Sequence, residues 1–175
     1  MASTPQAING YLLDTSVVLA ARYEGSANHE LVTQWIESHG ENPVFVSVVT
    51  RGELEFGDEC FRIKHRSESP LPSDELTADY EVLLVSDDAA EAYGKLRAII
   101  FAERAPTLFA KSVRGRSMAD LVDEITDRKL SIQENDLWLV SVAMAHNLIF
   151  VTVDKAGGMD TIVTVAQYES QTIFL

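Results

Sequence analysis

Short apolar runs alternate along the chain with longer segments of helical periodicity. Tyr11-Leu12-Leu13 is a strand candidate, and Asp14 follows it at once. Between Leu31 and Ser38, the residues Leu31, Val32, Trp35 and Ile36 stand at i, i+1, i+4 and i+5, one apolar face of a helix. Gly40 to Pro43 breaks that pattern. Val44-Phe45-Val46 then reads as a second strand, with Ser47 as the N-cap of a helix that carries Glu53 and ends near Gly57 or soon afterwards. Ser67 to Asp74, rich in serine and proline, reads as a loop. Glu81 to Val85 is a third strand, and Ser86-Asp87-Asp88 caps a helix running to about Arg104, where Pro106 stops it. Ser117 opens an amphipathic stretch through Leu130, predicted to be helical with Met118, Leu121, Val122 and Ile125 on one face. Asn135 to His146 is apolar nearly all round, which marks a buried helix, and Asn147 suits a left-handed cap at its end. Leu148 to Val153 reads as a strand buried on both faces and ended by Asp154; Thr161 to Val165 reads as the last strand.

Strands separated by helices imply crossover connections and a mostly parallel sheet covered on both faces, an α/β fold. The length of 175 residues suits one domain, here residues 10–175 behind a disordered lead of residues 1–9. One cysteine, Cys60, excludes an internal disulfide framework and a Cys-rich zinc module, and suggests a reducing cytoplasm. Residues 1–10 do not read as a secretory signal, and no apolar run is long enough to span a bilayer. The net charge of −13 argues against non-specific capture of nucleic acid through overall charge.

Against that background the placement of acids is informative. In parallel sheets ligands bind beyond the carboxyl ends of the strands. Asp14 and Asp154 each follow a strand, Asp136 lies in the first turn of the buried helix, and Glu53 lies on the helix after the second strand. Taken singly, Asp136 reads more readily as a simple helix cap and Glu53 as a solvated helix residue. Their joint placement predicts four carboxylates at one sheet edge. Such a group repels itself, since like charges ~4 Å apart cost about 4 kcal/mol at an effective dielectric of 20. A hard divalent cation, Mg²⁺ or Mn²⁺, offsets that repulsion, takes oxygen ligands and can activate water at a phosphodiester. The four histidines are scattered and form no zinc spacing.

The order Leu12-Leu13-Asp14-Thr15-Ser16-Val17, Ser47 to Gly57, Asn135 to Ala143 and Ile149 to Asp154 resembles the PIN-domain ribonucleases, especially the toxins of VapBC-type toxin–antitoxin pairs. Asp88 to Arg97 resembles that family's helix after its third strand, and the likeness spans about residues 10–165. The resemblance implies a three-layer α/β/α domain, a metal-dependent endoribonuclease using Mg²⁺ or Mn²⁺, a homodimer, and a small antitoxin as partner. By motif it puts the acidic quartet on Asp14, Glu53, Asp136 and Asp154. The flanking hydroxyl positions fall on Thr15 or Ser16 and on Thr152, the last of which also reads as an ordinary strand threonine. Residues 105–130 look longer than the family's usual connection, an insertion, and Lys155-Ala156-Gly157-Gly158 departs from its usual polar sequence.

Charge is uneven. Lys95 to Arg116 holds six basic residues and one acid, including Lys95, Arg97, Arg114 and Arg116 as candidates for phosphate contact. A solvated helix face followed by a basic loop explains the same run. Two other enzyme classes place Asp after a first strand. A haloacid-dehalogenase-type phosphatase needs a second acid where Ser16 stands, and a response-regulator receiver needs a lysine that Lys155 is badly spaced to supply. From a different class, a PIN-like protein-interaction module with little nuclease activity is the alternative.

Overall fold

The computed structural model describes residues 8–39, 41–69, 72–155 and 158–175. Five parallel strands form the central sheet: β1 (Tyr11–Leu13), β2 (Val44–Ser47), β3 (Glu81–Leu83), β6 (Ile149–Thr152) and β7 (Thr172–Phe174), in the order β3-β2-β1-β6-β7. Two further short strands, β4 (Val122–Asp123) and β5 (Arg128–Lys129), pair with each other in an antiparallel hairpin. Register aligns Leu12 with Phe45 and Phe150, and Leu13 with Val46 and Val151. Alternate residues therefore face opposite layers. Leu12 and Phe150 pack with α5 (Asp87–Arg104), α7 (Glu134–His146) and α8 (Met159–Val165). Leu13, Val46 and Val151 pack with α1 (Thr15–Arg22), α2 (His29–His39), α3 (Val48–His65) and α4 (Ser73–Thr77). The result is a three-layer α/β/α sandwich.

Local signals explain most boundaries. Ser47 and Ser86 accept the backbone N–H groups of Val49 and Ala89, capping α3 and α5 as expected. Asn147 caps α7 at φ 52° and ψ 51°, the left-handed conformation its type tolerates. Pro106 both ends α5 and occupies the first turn of α6 (Pro106–Lys111). The predicted lead 1–9 lies mainly outside the described residues, as do Gly40, Pro70, Leu71, Ala156 and Gly157. Asn9 donates through its backbone to the Asn147 carbonyl and through its side chain to the His146 carbonyl.

Three expectations are corrected. Thr161 to Val165 is helix α8, not the last strand; β7 takes that place at the sheet edge beside β6. The run is β-branched, but its buried residues Met159, Ile162 and Val163 follow helical spacing, and packing overrides propensity. Gly158, at the head of α8, lies so close to Ile132 that an added Cβ would come within 2.4 Å of its Cα. Second, Ser117 to Leu130 is not a helix. Asp123 accepts the N–H groups of Ile125 and Thr126 at 2.9 and 2.8 Å, a local turn that competes with helix and folds the chain into the β4–β5 hairpin. Met118 and Leu121 are buried there as expected, while Val122 and Ile125 are exposed. Third, α3 does not end near Gly57 but continues to His65, capped by Arg66 at φ 54°. A single exposed glycine costs a helix only about 1 kcal/mol, too little to stop it.

Candidate active site

β1 has β2 and β3 on one side and β6 and β7 on the other, so the chain reverses its direction of sheet growth at β1. The crevice beyond the carboxyl ends of β1 and β6 is the topological switch point where α/β sheets bind ligands. Asp14 sits there. Its N–H donates to the Val151 carbonyl at 2.9 Å, which locks the end of β1 to β6. It is 6% exposed and occupies the N-cap position of α1, yet its carboxylate makes no cap bond. Instead Oδ2 accepts from the Ser16 hydroxyl at 2.5 Å and the Thr152 hydroxyl at 2.7 Å. Thr152 in turn accepts the N–H of Asp154 at 3.0 Å, so one strand-end hydroxyl links both aspartates.

Glu53 approaches from α3. The Thr15 hydroxyl donates to its Oε2, and the Asn135 side-chain amide donates to its Oε1 at 2.8 Å. These two residues adjoin Asp14 and Asp136 in sequence, which ties the glutamate to both neighbouring acids. Asp136 lies half-buried in the first turn of α7. Its carboxyl is pushed up to about 7, first by burial and then by the charges of Asp14, Glu53 and Asp154. Burial also raises Asp14, opposed by the Ser16 and Thr152 hydroxyls and the Thr15 N–H, with Glu53 adding to the rise. Asp136 thus senses the other three acids as charges. Among the described residues no three acid, histidine or cysteine groups stand as a ready-made metal cage. The oxygens of Glu53 and of Asp14 are held by hydroxyl and amide donors instead.

Thr15, Ser16 and Thr152 all contact the acids. Asn135, which stands out in the sequence only as half of the Asn135-Asp136 pair, is the residue that bridges α7 to Glu53; the pair itself is the signal. The basic candidates lie elsewhere. Lys95 pairs with Glu91 one helical turn away. Arg97 bonds the Tyr93 hydroxyl at 2.7 Å, Glu134 at 3.1 Å and the Arg116 carbonyl at 2.6 Å. That network fastens α5 to α7 and to the segment before the hairpin. Arg114 and Arg116 are exposed and form no side-chain ion pair among the described residues.

Beside Glu53 opens a groove of about 600 Å³ between α3 and the start of α7, walled by Val49, Phe56, Val85 and Trp138. The Trp138 indole stacks on Tyr93, with ring centres 3.9 Å apart and planes 3° from parallel.

Residues 11–158 match the family profile described as PIN domain. A comparison with curated protein sequences finds no match. Among solved structures, the chain is similar to VapBC2 from Rickettsia felis bound to a DNA fragment from its promoter, at 20% identity and TM-score 0.55, covering 95% of this chain and 97% of the other. It is similar to FitAcB from Neisseria gonorrhoeae at 20% identity and TM-score 0.54, covering 87% and 92%. A toxin–antitoxin complex from Klebsiella pneumoniae aligns at 15% identity and TM-score 0.52, covering 93% and 95%.

Proposed function

The chain belongs to the PIN-domain family, and from that premise we propose that it is a metal-dependent endoribonuclease, the toxin of a toxin–antitoxin pair. The observation that carries this reading is the electrostatic condition of Asp136. A carboxyl raised first by its burial and then by three neighbouring acids marks a site short of positive charge. Charge compensation by a hard cation is the simplest remedy.

The donor set fits Mg²⁺ or Mn²⁺, because Asp14, Glu53, Asp136 and Asp154 offer hard oxygens and no soft ligand stands among them. Those four residues would hold the ion, and the bonds that Thr15, Ser16, Asn135 and Thr152 now make to them are the ones binding must share or exchange. When bound, the cation supplies activation of water and stabilisation of charge on a phosphodiester. The residues of the chain do the rest. Ser16 and Thr152 hold Asp14 in one orientation, and Thr15 and Asn135 do the same for Glu53. Such preorganisation lowers the cost of assembling charge around a reacting phosphate.

RNA is the proposed substrate, the basic exposed Arg114 and Arg116 its proposed phosphate contacts, and Lys95 and Arg97 supports of that surface. A small antitoxin protein and a second copy of the chain are the proposed partners. The fold shared with toxin–antitoxin complexes supports the first, and exposed Phe56, Ile63 and Leu84 support an apolar contact between proteins. No helix among the described residues is long and apolar enough to cross a membrane, in keeping with the proposed cytoplasmic location.

The second reading, an interaction module with little nuclease activity, draws on the lack of a ready-made metal cage among the described residues. One experiment separates the two. Purified chain is incubated with single-stranded RNA and Mn²⁺, with and without EDTA, beside Asp14→Asn. Cleavage abolished by chelation and by the substitution supports the nuclease. RNA left intact by the wild type with metal present supports the module.

A further inference from the structure

The groove beside Glu53 has a wall chemistry unlike the acidic site it adjoins. Val49, Phe56, Val85 and Trp138 are apolar, and among the described residues no lysine, arginine or histidine lines it. A phosphate has no counter-charge there. A flat uncharged ring does have partners: the indole of Trp138 as a stacking surface, and the side-chain amide of Gln133 as a reader of polar edges. Gln133 stands at the N-cap of α7 but makes no side-chain cap bond, which leaves its amide uncommitted to the helix end. Trp138 is half-buried and preorganised: Tyr93 stacks on it, and Tyr93 is itself held by its donation to Glu134 at 2.6 Å and by Arg97. Gly52 on α3 lines the groove, and a Cβ added there would meet nothing within 4 Å.

Building on the ribonuclease reading, we propose that this groove receives an unpaired nucleobase next to the scissile phosphate, stacked on Trp138 and read at its edge by Gln133. Asn135 and Glu53 belong to both the groove and the acidic site, so a base lodged here sets the backbone register over the carboxylates. The substrate class is single-stranded RNA with the base free of pairing. Base–aromatic stacking makes up a substantial share of single-strand affinity and tolerates sequence, while an amide at the edge adds a preference among bases.

The chain has two tryptophans, so Trp35→Phe leaves Trp138 as the sole indole reporter. In that background, with Ca²⁺ in place of Mn²⁺ to hold the RNA uncut, a labelled single-stranded RNA is titrated while its anisotropy and the Trp138 emission are both followed. The same titration uses an RNA abasic at successive positions, and the variant Gly52→Leu, whose side chain grows into the open groove. The expected result is quenching of Trp138 on binding, its loss when one particular position is abasic, and binding weakened about tenfold by Gly52→Leu. The variant should be at least as heat-stable as the parent, since leucine replaces a helical glycine in open space. RNA that binds by anisotropy and is cleaved with Mn²⁺ while Trp138 emission stays constant overturns the stacking proposal and spares the ribonuclease. RNA that neither binds nor is cleaved overturns both. Trp138 emission that changes with protein concentration alone, together with a dimer abolished by Gly52→Leu, assigns the groove to a second copy and also overturns the proposal.

Discussion

Two buried aspartates, Asp14 at the sheet edge and Asp123 in the hairpin, have opposite fates. Asp123 accepts the N–H groups of Ile125 and Thr126 and faces Arg104 at 3.5 Å. Those partners hold its carboxyl below the usual range, the Thr126 N–H foremost. Its neighbour Glu124 accepts the N–H groups of Thr107 and Leu108, which lowers it in the same way and caps α6. Asp14 is raised, first by its burial, which two hydroxyls and one N–H oppose without cancelling and to which Glu53 adds. The hairpin spends its acids on structure and satisfies them within the chain. The crevice gathers acids, and among the described residues no basic side chain acts on Asp14 or Asp136; a site that departs from self-satisfaction in this way is where function is to be sought.

The sharpest way to break this contrast is to remove an acid from the crevice. Asp154→Asn or Asp136→Asn should reduce Mn²⁺-dependent RNA cleavage by at least about 100-fold, measured with a labelled single-stranded substrate, while circular dichroism stays native. Cleavage at the wild-type rate with either change would remove that residue from the proposed chemistry.

The same kind of substitution in the hairpin should do the reverse. Asp123→Ala leaves two N–H groups and Arg104 without their acceptor, so Tm should fall by several degrees. If the hairpin only buttresses the fold, cleavage at a temperature well below Tm should stay near wild type.

Protonation gives a third, smaller effect. Asp136 titrates near 7 when folded and near 3.8 when unfolded. Between those values the native state binds more protons, so metal-free stability should fall as pH rises from about 4 to about 7 and then level off. For this half-buried group, discounted for screening, the loss is of order 1–2 kcal/mol. Urea melts from pH 4 to 8 should show that slope, Asp136→Asn should flatten it, and added Mn²⁺ should reverse it. An undiminished slope in Asp136→Asn would place the titration on another group, Asp14 being the other raised acid of the crevice.

The smallest expected effect is at Arg114 and Arg116. Replacing both by Ala should flatten the log–log salt dependence of RNA binding by about 1–1.5, near 0.7 for each single-strand phosphate that is no longer neutralised. Metal affinity should be unchanged. Equal slopes for wild type and variant would assign these arginines to a partner or to solvent.

The sequence makes β1, β2, β3, β6 and the buried α7 easy to read, because short apolar runs, an all-round apolar helix and Asn147 leave little choice there; the edge strand β7 escapes it. It also places Asp14, Asp136 and Asp154 at strand or helix ends, where the fold brings them to one edge. The hairpin is illegible for a physical reason: Met118, Leu121, Val122 and Ile125 mimic a helical stripe, and only the turn made by Asp123 reveals otherwise. Helix α8 is masked because its β-branched residues outvote the spacing of its buried ones. The hydroxyl and amide bonds that orient Asp14 and Glu53 depend on side-chain direction across as many as 138 residues, which no local pattern encodes.

That separation has a consequence for synthesis. β1 pairs with β2 early in the chain and with β6 only when residues 149–152 arrive. At about 5–20 residues per second, roughly 7–28 s pass between the emergence of Asp14 and that of Thr152, 138 residues later. Throughout that interval one edge of β1 is unpaired, exposed to chance partners on the ribosome surface. The crevice likewise lacks Asp136 and Asp154 until the last quarter or so of the chain is translated. The proposed activity therefore waits for the acids of the last quarter of the chain, and the proposed site is completed late.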